Sequence, residues 1–186
     1  MASVRTQEPE MPTPNDNVSE LMEPVFLELG KAVYICQCFE SSLCFLLSLI
    51  AHESAEGEDG AFQASWDFHS KKTLGNLLKS LREIIEVPDD LDSFLGEGVT
   101  KRNEIVHGFL TRHAERLANP KERLKIEQEL VMLKQEVKRR DIVVNKLIDT
   151  LLKKYGTSNN QLKRNADRLW EHLNPDAPLE PTSGVH

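Results

Sequence analysis

The segment 120-PKERLKIEQELVMLKQEVKRRDIVVNKLIDTLLKKY-155 decides the fold. Within it Ile126, Leu130, Leu133, Val137, Val144, Leu147 and Leu151 recur at heptad-like spacing, so a helix carries them on one stripe. The lysines, arginines and glutamates between them form the solvated faces. Asn119-Pro120 marks the start, because proline fits the first helical turn, and Gly156 marks the stop. Lys138-Arg139-Arg140 reads as surface, except that Arg140 occupies a heptad core position and so marks a candidate interface.

Upstream, three more helices are expected. Ser19 caps one that runs to about His52, with Leu21, Val25, Leu29, Val33, Cys36, Phe39, Leu43, Leu46 and Ile50 stepping by three and four. The acidic, glycine-containing stretch HESAEGEDGAF breaks it, and a loop is expected to continue to about His69. Ser70 then caps KKTLGNLLKSLREIIE, which has Leu74, Leu77, Leu78, Leu81 and Ile85 on one face. Gly75 inside that helix costs about 1 kcal/mol relative to alanine, which close approach of a neighbouring helix would explain. Val87-Pro88 ends it. The next helix runs from Pro88 or Asp89 to His113 with Leu91, Phe94, Leu95, Val99, Val106, Phe109 and Leu110 apolar. After Gly156 a short helix is expected from Asn159 to Leu173. No strand-length alternation bounded by turns occurs. The expectation is an all-α bundle of four to five helices in one domain, residues 18–173, flanked by proline-containing flexible tails at 1–17 and 174–186.

Composition narrows the function classes. The 186 residues carry a formal net charge of -7, which argues against coating nucleic acid through bulk charge and leaves only a local basic patch. The longest apolar run, Leu43 to Ala51, is shorter than the roughly 20 residues that span a bilayer. The first residues, MASVRTQEPEMPTP, hold acids and prolines and no apolar signal core. These features read as a soluble cytoplasmic protein with no membrane association. Cys36, Cys38 and Cys44 sit in an apolar segment at a spacing that fits no zinc arrangement, and read as small buried hydrophobes. Trp66 and Trp170 lack basic stacking neighbours and read as packing residues.

One segment departs from the solvated pattern: Lys101-Arg102-Asn103-Glu104-Ile105-Val106-His107-Gly108-Phe109. On a wheel of about 100° per residue with Val99 at zero, Arg102 falls at about 300°, inside the apolar stripe and beside Val106 at about 340°. A guanidinium there needs a carboxylate, a subunit interface or a cleft, because burying a lone charge is prohibitive. Glu40 of the first helix, set among apolar neighbours, is the candidate partner. Asn103 and His107 are one turn apart, so a cation, an amide and a titratable imidazole can share one edge of the helix. Gly108 leaves room beside the imidazole.

RNEIVH at 102–107, late in an all-α bundle, resembles the R-N-x-x-x-H signature of the HEPN superfamily (higher eukaryote and prokaryote nucleotide-binding domains). Phe39-Glu40 in the first long helix and KTLGNLLKSL ahead of the motif helix are also similar, and the resemblance covers roughly residues 20–155. It implies a metal-independent endoribonuclease, without cofactor, that dimerises so that two motifs face one cleft, as in effectors of defence or toxin systems. Carried over, His107 is the general acid/base for attack of a ribose 2′-OH on the adjacent phosphate, and Arg102 stabilises the transition-state charge. Asn103 orients His107 or bonds the phosphate. RNA is the implied substrate, DNA is not, and an antitoxin or regulatory protein is an implied partner. Phe109 stands where a toxin subgroup of the family has a modifiable tyrosine, so nucleotidylation at that position is excluded.

Lys71, Lys72, Lys101 and Arg112, with His113 and Arg116, are candidates for a basic rim holding the RNA backbone. The competing expectation is a non-catalytic helical dimerisation or binding module, in which Arg102, His107 and Glu40 form a structural polar network.

Overall fold

A computed structural model describes residues 14–58, 60–154, 156 and 164, with side chains from Met22 onward. Among the described residues six α-helices follow one another: α1 (Pro14–Ser54), α2 (Ala61–His69), α3 (Leu74–Ile84), α4 (Asp89–Asn103), α5 (Phe109–Leu117) and α6 (Pro120–Lys154). A π-helical turn, Glu104–Gly108, joins α4 to α5 without a break. No strand occurs among the described residues, and the all-α bundle is as the sequence leads one to expect. Apart from Arg164, which is helical and exposed, the Asn159–Leu173 helix, Trp170 and the tail readings at 1–13 and 174–186 lie outside the described residues.

The two longest helices, α1 and α6, form the backbone of the bundle; α2 and α3 pack on α1, and α4 and α5 on α6. Ile126, Leu130, Val137, Val144, Ile148 and Leu152 from α6 meet Val25, Cys36, Phe39, Leu43 and Leu47 from α1 in the core. Most of the stripe expected in α6 is therefore inside. Toward its C-terminal end the centre passes to Ile148 and Leu152, with Leu147 and Leu151 on the flanks. Arg140 is buried in the same seam. Its Nε donates to the Phe94 carbonyl (3.0 Å), Nη1 to Glu136 Oε2 (2.6 Å) and Nη2 to Glu97 Oε2 (2.7 Å). The charge is thus an interhelical clamp between α4 and α6.

Four local expectations are corrected. The segment before His69 is a helix, α2, rather than a loop: Phe62 and Trp66, one turn apart, stack on each other and set their edges against Phe45 of α1. Ser70 closes α2, and α3 starts after Thr73, which makes no side-chain cap bond. α1 begins at Pro14, ahead of Ser19, so residues 14–17 belong to the helix and not to the tail. The close helix approach lies at Gly98, not Gly75. A Cβ at Gly75 would sit 3.6 Å from Val99 Cγ1, whereas one at Gly98 would sit 2.9 Å from Phe39 Cε1 and 3.0 Å from Arg140 Cδ.

Cys36 and Cys44 are buried and all three cysteines are free. Burial pushes the Cys36 thiol up to about 11, against the opposing pull of Arg102. Met22–Ser54 is long and apolar enough to cross a membrane, with a mean hydropathy of 1.7, although the longest uninterrupted apolar run is short. Half of that window is buried inside the bundle.

Candidate functional site

The motif spans the end of α4, which carries Arg102 and Asn103, and the π turn, which carries His107. Ile105 and Val106 are β-branched and weak helix formers, and Gly108 follows, so this stretch holds α-pitch poorly. A π turn takes up about one residue more than an α turn and rotates everything beyond it. Ile105, Phe109, His113 and Leu117, in steps of four, consequently take the inner face. Val106 and Leu110, expected in the core from α-pitch, are 37% and 38% exposed. The same rotation brings His107 to the surface edge beside Arg102.

Arg102 organises the site. Its Nε donates to Glu40 Oε1 at 2.7 Å, the ion pair expected across to the first helix. Its Nη1 donates to Asn103 Oδ1 at 3.1 Å and to His107 Nε2 at 3.0 Å. Because a guanidinium only donates, this contact calls for the lone pair of Nε2. Nη2 of Arg102 has no partner among the described residues. The three motif side chains and Glu40 therefore meet around one guanidinium that still has donors to offer. Arg102 and Glu40 are 16% and 24% exposed, screened from bulk water yet reachable.

The expected basic rim is not one patch. Lys101 and Arg112 both pair with Glu104, Lys101 at 3.7 Å, so one carboxylate offsets half of the charge they bring. Arg116 donates to Glu122 and Glu129 at 3.1 and 2.9 Å and to His113 Nδ1 at 3.0 Å, and His113 is buried. Lys71 is exposed at the end of α2, with Lys72 next to it. Lys72 donates to Ser80 Oγ at 2.9 Å and lies 3.9 Å over the Phe68 ring.

A cavity of about 340 Å³ opens between α1, α2 and α3, and Glu40 is in its wall. Gln37, Ser41 and Cys44 continue that wall along α1, while Trp66, His69, Ser70 and Lys72 close it from the other side. His69 is buried, its Nδ1 finds no partner, and its protonation is pushed down by burial and by Lys72. Periodicity could not reveal this cavity, because α2 was itself hidden in the apparent loop. The signal available was Phe62, Trp66 and His69 at three- and four-residue spacing. Among the described residues no three His, Cys, Asp or Glu side chains converge as metal ligands.

Comparison with protein-family models, with curated proteins and with solved structures found no match for this chain.

Proposed function

We propose that the protein is a HEPN-like metal-independent endoribonuclease, soluble in the cytoplasm, that cleaves RNA by attack of a ribose 2′-OH on the adjacent phosphate. The observation that carries this reading is the Arg102 guanidinium, which touches His107 Nε2 at 3.0 Å while Nη2 remains unpartnered. An arriving phosphate takes Nη2 and draws Nη1 off the imidazole, since a charge-assisted bond to phosphate is stronger than one to a neutral ring. Nε2 of His107 is then free to take the 2′-hydroxyl proton. The 2′-oxygen bonds to phosphorus, the bond to the 5′-oxygen breaks, and a proton passes from the imidazolium to that oxygen. The products are a 2′,3′-cyclic phosphate and a free 5′-hydroxyl. Asn103, held by the same Nη1, keeps the guanidinium plane facing the phosphate, and Glu40 anchors it through Nε. Val106 and Leu110 border His107 with exposed apolar surface, which supports a homodimer formed along this edge. An effector role in defence or toxicity, with an antagonist protein as partner, follows from the same reading.

The half-buried Arg102–Glu40 pair favours a second reading, a non-catalytic module in which the motif is a structural network. Cleavage of a labelled structured RNA in excess EDTA separates the two. Wild type is expected to release cyclic-phosphate ends and His107→Ala to be inactive. Equal cleavage by both proteins would mean a contaminant or a different site, and cleavage by neither across several RNAs would leave the module.

A further inference from the structure

The cavity beside the motif is lined by a carboxylate, an ammonium and an indole. Glu40 comes from α1, Lys72 from the α2–α3 connection and Trp66 from α2. Trp66 is held by Phe62, parallel to within 10°, and by Phe45 at 76°, and it lines the cavity. The Glu40 carboxylate has spare acceptor capacity, since Arg102 uses a single lone pair of Oε1. Lys72 is tethered by Ser80 and has two further hydrogens to donate. His69 is buried in the same wall with an unpaired ring nitrogen.

We propose that this cavity receives a guanine base of the RNA, with its N1–H and N2–H₂ on Glu40, its O6 on Lys72 and its ring on Trp66. The inference rests on the endoribonuclease reading for its substrate, although base binding can be measured without any cleavage. Guanine is the base whose pairing edge sets two adjacent donors beside an acceptor, the complement of a carboxylate followed by an ammonium. Adenine would turn its amino group toward Lys72 and offer Glu40 no N1–H. Uracil and cytosine carry at most one donor where Glu40 needs two. A site built to pair polar groups rejects analogues that leave them unpaired, and exposed bases are ordinarily read by stacking together with hydrogen bonds to their edges. Position supports the same assignment. Glu40 and His107 are held at 2.7 and 3.0 Å by nitrogens of one guanidinium, so the cavity wall adjoins the motif.

The test is a titration of the full chain with guanosine 3′-monophosphate, followed by tryptophan fluorescence, against the adenosine, cytidine and uridine 3′-monophosphates. Saturable binding of the guanosine nucleotide at least tenfold tighter than the others is expected. Glu40→Gln and Lys72→Met should each erase that preference. Lys72 lies outside the Arg102 contacts, so its variant separates base reading from damage to the motif. Equal affinity for all four nucleotides, no saturation, or unchanged preference in Lys72→Met overturns the proposal, as does tight binding of a zwitterionic amino acid in place of the nucleotide. Guanosine binding without RNA cleavage would retain the pocket and remove the nuclease reading; cleavage at all four bases would do the reverse.

Discussion

Arg102 and Arg140 are both arginines on the apolar stripe of a long helix, and the bundle treats them differently. Arg140 is 2% exposed, and each of its three nitrogens is bonded, to Phe94, Glu136 and Glu97. The Phe94 ring also lies 4.4 Å from its Cζ. Arg102 is at the edge of the core, uses Nε and Nη1, and leaves Nη2 open. A fully satisfied buried guanidinium is a structural clamp, because no donor remains for a ligand. One that is half-satisfied beside a surface imidazole is equipped to bind an anion. Burial alone does not distinguish them; the count of unused donors does.

The largest expected effect follows from that difference. Arg102→Ala and His107→Ala should each lower RNA cleavage by about 10²–10⁴-fold, the usual contribution of a placed acid/base or charge stabiliser. Thermal unfolding should move little, since a partly exposed ion pair contributes about 1 kcal/mol or less. A large loss of stability in Arg102→Ala would assign Arg102 to the same class as Arg140 and favour the structural module.

Arg140→Ala should show the converse. Its removal strips the Phe94 carbonyl of its side-chain donor and opens a gap in the seam between α4 and α6, for a loss of about 2–4 kcal/mol. The freed carboxylates add less, because Glu97 and Glu136 are 64% and 30% exposed and can be hydrated. Denaturant titration measures the loss, and cleavage at a temperature where the variant remains folded should be close to wild type. Unchanged stability would mean that the clamp is not what holds α4 on α6.

Next in size is Gly98→Ala, at the point where α4 rides closest to that clamp. The added methyl meets the Phe39 ring edge at 2.9 Å, closer than real Cβ contacts come, and crowds the Arg140 stem at 3.0 Å. Both neighbours are buried, so relief requires a helix shift, and overpacking of this kind costs about 1–3 kcal/mol. Gly75→Ala is the control: its methyl would make an ordinary contact with Val99, and gaining helix propensity should stabilise by up to about 1 kcal/mol. Equal effects at the two glycines would contradict the packing.

The same pair of arginines marks where sequence is legible. The heptad pattern of α6 and the three-four stepping of α1 predicted the bundle because both helices are regular and bury one stripe. Glu40 as the partner of Arg102 was also readable, since an apolar setting on one helix and a charge in an apolar stripe on another call for each other. Three features were not. The π turn moves Val106 and Leu110 outward, and no α-pitch wheel contains that extra residue. The acid-rich break before α2 masks its aromatic spacing, which becomes meaningful only once Phe45 is known to lie opposite. Lys101 and Arg112 look like free cations until Glu104 is seen between them.

The smallest effect concerns the cavity wall that adjoins Arg102. Burial, with the Lys72 charge nearby, holds the His69 imidazole below its ordinary 6.5. The unfolded chain therefore takes up a proton near pH 6.5 that the folded chain still refuses. Between those two values acid favours unfolding, so the full stability at His69 is present above pH 6.5 and shrinks as the pH falls toward the folded value. Glu28 acts in the same direction in a lower window. Burial raises its carboxyl, but the bonds from Lys134 and Lys31 outweigh that, and its stabilisation is lost only below the ordinary 4.5. Thermal midpoints measured between pH 7 and pH 5 thus isolate the imidazole. Wild type is expected to lose stability across that interval and His69→Gln to lose less. Parallel curves throughout would mean that protonated His69 finds an acceptor in the cavity, and Glu40, in the same wall, is the group in place to provide it.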